Sequence, residues 1–176
     1  MTSDRSLHEL WRLAIPWREY LRPNMKSYEL WRGVFDRVTI ADAVLQQFRT
    51  SRLQKLLVLA EDWCGDAANT VPVLAALTER VPEIELRVLA RDEFPEVMHA
   101  YLTNGTRSIP IAIGLDEEFR ELGHWGPRPL PLQAWMLANK AMIPSPQRYA
   151  YARQWYARDR GVTTLEEMLN VVTGDQ

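Results

Sequence analysis

The chain has 176 residues, 47% of them apolar and 25% charged, with a net charge of −2. That suits a globular protein long enough to bury a core without staples, and its near-neutral balance excludes the broad basic field that recruits nucleic acid. The lone cysteine, Cys64, excludes an internal disulfide and any cysteine-based zinc cluster, and the three histidines, His8, His99 and His124, show no ligand spacing, so no metal is expected.

In chain order, the first fifty residues read as helices. Ser6 and Glu9 form a capping box ahead of Leu7, Leu10, Trp11 and Ala14 on one face, and Pro16 is expected to end or kink that helix. A second helical stripe runs through Tyr28, Trp31, Phe35 and Val38. A third starts near Thr39, with Asp42 three residues on, and carries Ile40, Val44, Leu45 and Phe48. Residues 53–60 (LQKLLVLA) then form a nearly continuous apolar run, the pattern of a buried strand. A loop over 61–66 leads into a helix with Ala67, Val71, Leu74 and Leu77 on one face and Pro72 in its interior. The alternation of Ile84, Leu86, Val88 and Ala90 predicts the next strand. Phe94, Val97, Met98, Tyr101 and Leu102 make a helical stripe with Pro95 in its first turn, and Asn104-Gly105 is a turn. Residues 109–114 and 119–122 read as two strands of a hairpin. Three prolines over 126–131 argue against regular structure there. Helices are expected over 132–142 and 147–160, the latter stopped by Gly161. Thr164 and Glu167 are expected to cap a last helix bearing Leu165, Met168, Leu169 and Val172.

The order β-α-β-α-β-β-α over 53–142 predicts an α/β fold. The strand–helix–strand unit pairs in parallel and the hairpin adds an antiparallel pair, giving a mixed four-stranded sheet flanked by helices. Residues 1–52 form an N-terminal helical extension, 53–126 the core, and 127–176 a C-terminal helical extension packed on it as part of one structural unit. No segment approaches the roughly 20 apolar residues that span a bilayer, and residues 1–12 lack a signal-peptide pattern, so a cytoplasmic protein without a membrane partner is expected.

Chemistry concentrates at Trp63-Cys64-Gly65-Asp66. A strand ends, a tight loop follows, and Cys64 stands where a helix begins. Unpaired N–H groups and the helix dipole there favour a thiolate. Trp63 is placed to cover one side of the sulfur, and Gly65 keeps the approach clear. Glu61, Asp62 and Asp66 oppose the helix by raising the thiol pKa, which leaves the net sign open. Ser108-Ile109-Pro110 lies 46 residues beyond Cys64 at the head of a strand, where a proline without a ladder donor belongs.

These residues together resemble the thioredoxin family over 53–126. The loop resembles its Trp-Cys-Gly-x-Cys segment. Pro72 is similar to the proline inside the family's active-site helix, Ile109-Pro110 to its cis-proline loop, and Leu122-Gly123-His124 falls where the family has a third groove loop. Glu61–Ala67, Trp125–Pro129 and Trp155–Glu167 further resemble a bacterial thioredoxin-like group with a Cys-Gly-Asp-Ala loop. Two departures limit what the resemblance implies. Ala67 replaces the second cysteine, and Val58 replaces the buried Asp six residues before the nucleophile.

The resemblance therefore implies a single-cysteine thiol protein. Cys64 is the nucleophile, and Trp63, Gly65, Asp66, Ile109, Pro110, Gly123, His124 and Trp125 line the groove. Its sulfur is expected to be exposed with a low pKa. It forms mixed disulfides with a protein or small-molecule thiol or disulfide. No bound cofactor is expected, and an external thiol such as glutathione acts as co-substrate, because nothing in the chain resolves the mixed disulfide. Trp125-Gly126-Pro127-Arg128-Pro129 shapes one wall, with Arg128 placed to offset the carboxylates. The alternative is a redox-inert thioredoxin-like module that binds an extended peptide. Arg148, Arg153, Arg158 and Arg160 read as a solvated helix face.

Overall fold

A computed structural model describes residues 5–174; residues 1–4 and 175–176, the outermost parts of the two extensions, lie outside the described residues. The elements are α1 (Leu7–Leu13), β1 (Ile15–Pro16), α2 (Trp17–Tyr20), α3 (Tyr28–Arg37), α4 (Asp42–Thr50), β2 (Lys55–Ala60), α5 (Gly65–Arg80) and β3 (Glu85–Ala90). They continue with α6 (Pro95–Ala100), β4 (Ile111–Leu115), β5 (Glu121–Trp125), α7 (Leu130–Ala138), α8 (Ser145–Asp159) and α9 (Val162–Thr173).

The sheet is mixed, in the order β1-β3-β2-β4-β5. β2 and β3 are parallel across the α5 crossover, and the pairs β2–β4 and β4–β5 are antiparallel. The four expected strands are joined by a fifth, β1, which pairs antiparallel with β3 through Ile15↔Val88. Pro16 does end the first helix, but its extended backbone then serves as a two-residue edge strand, the one place in a sheet where a missing N–H costs little.

Several boundaries move for local reasons. The Ser6–Glu9 capping box forms as read, with Glu9 N–H donating to Ser6 Oγ at 3.2 Å and Ser6 N–H to Glu9 Oε2 at 2.8 Å. α4 starts at Asp42 after an extended Ala41, and Thr39 is no cap. α7 starts at Leu130, because Pro131 fits a first helical turn where its missing N–H has no partner to lose. α9 starts after Gly161. Thr164 lies inside it, buried, and Glu167 is used elsewhere.

One apolar cluster runs from Leu10, Trp11 and Trp31 through the β2 and β4 side chains to Met168 and Val172, so both extensions share the core of the sheet. Trp31 is fully buried and its ring meets those of Trp17 and Tyr20, with Phe35 against Trp17. α5 packs between α3 and α9. A second, smaller cluster joins Leu132 and Met136 of α7 to Ala152 and Tyr156 of α8.

Candidate functional site

β2 and β3 run in parallel, and the loop leaving the carboxyl end of β2 carries Cys64, the N-cap of α5. Since β4 is antiparallel to β2, with Ile111 opposite Leu59, its first residues return to that same end. This brings Ile109 to the sulfur. Cys64 Sγ accepts a hydrogen bond from Ala67 N–H at 3.4 Å, and its S–H donates to the Ile109 carbonyl at 3.6 Å. The Ile109–Pro110 peptide is cis. Ile109 and Pro110 are buried, and Trp63 is half exposed with the Arg91 guanidinium 5.2 Å from its ring centroid.

The expectation of an exposed, low-pKa sulfur is not met. Cys64 is only 8% exposed, and its thiol is pushed above its ordinary value. Burial is the main cause, since a thiolate loses hydration there. The Ala67 N–H opposes the rise, the Asp66 charge adds to it, and the Asp66 N–H and Arg128 oppose it. A thiol that donates to a carbonyl is also better matched in its protonated form.

The three acidic residues of the loop have distinct roles. Glu61 Oε1 accepts from Asp92 N–H at 2.9 Å. Asp62 Oδ2 accepts from Lys26 N–H at 2.8 Å, and its carbonyl accepts from Trp31 Nε1 at 3.0 Å. Both therefore fasten the loop to neighbouring chain. Asp66 turns into the protein, where its Oδ2 meets Arg128 Nη2 at 2.7 Å and its Oδ1 accepts from Tyr156 Oη at 2.8 Å. Asp66 and Tyr156 are buried, and burial, followed by the Asp66 charge, holds the Tyr156 phenol far above its ordinary pKa. Burial works against the Arg128 charge, but Asp66 more than compensates and keeps it protonated.

Cys64, Asp66, Ile109 and Pro110 are thus brought together, with Trp63 and Gly65 flanking the sulfur in the chain. Gly123, His124 and Trp125 are not loop residues of a groove. The final hairpin strand lies about two residues later than predicted, over Glu121–Trp125, which turns all three into ladder positions. Alternation then separates them. Gly123 lies under α9, where a Cβ would come within 2.7 Å of Val171 Cγ1. His124 projects to Tyr101, 5.0 Å between ring centroids, and its Nδ1 is 2.9 Å from Glu121 Oε1. Trp125 is buried and donates from Nε1 to Glu167 Oε2 at 2.7 Å, while Glu167 Oε1 accepts from Leu130 N–H at 2.8 Å.

The residue that does approach the Pro110 loop is Gly126. Its φ is +130°, and a Cβ there would stand 2.1 Å from the Pro110 carbonyl oxygen. In the sequence-derived groove Gly126 falls within the wall stretch 125–129 without being singled out, and Tyr156 is left out. A glycine between Trp125 and Pro127 was a usable signal for the first. For Tyr156 the only signal was that its segment accompanies the Cys64 loop and the Arg128 stretch in one sequence.

A family model described as thioredoxin matches residues 14–145. No curated protein matches the chain. Two solved structures share its architecture. One is a protein of unknown function, PA1234, from Pseudomonas aeruginosa, with a TM-score of 0.77, 20% identity, and coverage of 98% of this chain and 99% of that one. The other is an HIV epitope scaffold, with a TM-score of 0.71, 18% identity, and coverage of 98% and 100%. At these identities the likeness speaks to fold alone, but the family match spans most of the residues that build the sheet and hold Cys64 beside Pro110. The chain belongs to the thioredoxin family.

Proposed function

We propose that this protein is a single-thiol member of its family that forms mixed disulfides through Cys64. The observation that carries the reading is the position of Sγ, at the N-cap of α5 and against the Ile109 carbonyl next to Pro110. In the proposed reaction the Cys64 thiolate attacks one sulfur of a protein or small-molecule disulfide. The S–S bond breaks, the far sulfur leaves as a thiolate and takes up a proton, and Cys64 is left in a mixed disulfide. Ala67 occupies the resolving position, so an external thiol such as glutathione attacks that bond and releases Cys64. Because burial keeps the thiol protonated, exchange is slow at neutral pH and accelerates as pH rises.

The test is incubation with glutathione disulfide followed by intact-mass measurement. A single adduct on Cys64 that added thiol removes is expected. No adduct at any pH, on a folded chain whose unfolded form reacts, would sink the reading.

A specific observation favours a second reading. The same burial and raised pKa suit a redox-inert thioredoxin-fold module that binds a partner while the sulfur serves packing alone. Under that reading Cys64→Ser keeps all partner binding, whereas mixed-disulfide capture is lost in that variant under the first.

A further inference from the structure

A cavity of about 250 Å³ opens beside the Pro110 loop, between residues 103–108 and the helices α7 and α8. That is slightly below the usual range for drug-sized ligands, which suits a small metabolite. Its wall carries three cationic side chains, Arg128, Lys140 and Arg148, and among its described lining residues there is no Asp or Glu. Arg128 is balanced by Asp66. Arg148 is held by hydrogen bonds to the Ile143 carbonyl at 2.9 Å and Ser145 Oγ at 2.9 Å, neither of which cancels its charge. The cavity therefore keeps an excess of positive charge. Thr106 and Ser108, with hydroxyls 2.8 Å apart, also line it, and the Thr106 hydroxyl donates to the Thr103 carbonyl at 2.7 Å. Arg128 Nε is buried without a hydrogen-bond partner among the described residues. Arg128 Nη1 donates to Gln133 Oε1 at 2.8 Å, which fixes the guanidinium against the cavity wall.

We infer that this cavity is a binding site for a small anionic molecule bearing a phosphate or carboxylate, held by Lys140 and Arg148 with Arg128 at its inner wall. The cations are arranged on a pocket rather than scattered on a helix face, which corrects the reading of Arg148 as merely solvated. The cations of the site come from the C-terminal extension and the site needs no reaction at Cys64, so it stands whether or not the thiol exchanges.

Calorimetric titration of the full chain with inorganic phosphate, and separately with succinate, tests this. Saturable 1:1 binding of at least one is expected, and the tighter of the two identifies the anion chemistry. Binding should weaken by about fivefold or more in Lys140→Gln and with rising salt, and it should be retained in Lys140→Arg. Lys140 is exposed at the rim, away from the apolar clusters, so its variants fold. No binding of either anion, or an affinity unchanged in Lys140→Gln, would overturn the assignment.

Discussion

At the scale of single residues, the chemistry of Cys64 is a contest between one favourable and one unfavourable environment. The helix start offers N–H donors, but the sulfur gives up most of its contact with water to reach them, and the loss of hydration wins. The consequence for stability has a definite sign. A thiol whose pKa is higher folded than unfolded holds its proton more tightly in the folded state. Its contribution is complete below the unfolded pKa of about 8.5 and is lost as pH rises through the folded value. The difference in unfolding free energy between the wild type and Cys64→Ser should be flat from pH 6 to 8 and shrink above about pH 9, as read by denaturant titration. The sequence could locate this sulfur but not sign its pKa. The opposing terms depend on which carboxylates face it, and Glu61 and Asp62 turn to Asp92 and Lys26 instead.

At the scale of elements, the site is held by three segments far apart in the chain. Asp66 in the first turn of α5 joins Arg128 before α7 and Tyr156 in α8. Removing one partner leaves a buried charge short of compensation. Arg128→Gln should therefore cost about 3 kcal/mol of stability, and it should raise the Cys64 pKa further, since Arg128 is among the groups that lower it. Tyr156→Phe removes one hydrogen bond to a carboxylate and should cost about 1.5–3 kcal/mol, leaving the Arg128 ion pair in place. Equilibrium unfolding, with thiol titration in parallel, checks both. The Pro110 loop has its own constraint. Gly126→Ala would force a Cβ against the Pro110 carbonyl oxygen in a backbone region that disfavours side chains, so one strand end must move. That variant should be destabilised by about 3 kcal/mol or more, with an altered Cys64 alkylation rate that a purely remote defect would leave unchanged. Most elements were legible from periodicity and caps, including the Ser6–Glu9 box and the run from β2 to β3. The hairpin was misplaced because Phe119 sits in the turn with a φ of +63°, a conformation its sequence does not announce, and the shift moved Gly123 and His124 out of the groove.

At the scale of the whole molecule, the additions at either end are parts of the site rather than appendages. The N-terminal residues contribute β1 to the sheet and fasten the Cys64 loop through Trp31 and Lys26. The C-terminal residues supply Arg128, Tyr156 and the Glu167 clip on Trp125. Such long-range pairings leave no periodic trace, which is why the sheet and the cysteine could be read from the sequence while the Asp66–Arg128–Tyr156 assembly could not. They also explain how one buried thiol keeps a fixed position without a second cysteine beside it. The direct test of the account is the rate of adduct formation with glutathione disulfide, followed by intact mass from pH 6 to 10. The account predicts one reversible adduct on Cys64, forming slowly at pH 7 and about tenfold faster per pH unit until the thiol itself titrates. A rate that does not change with pH, or a folded chain that forms no adduct across the range, would contradict it.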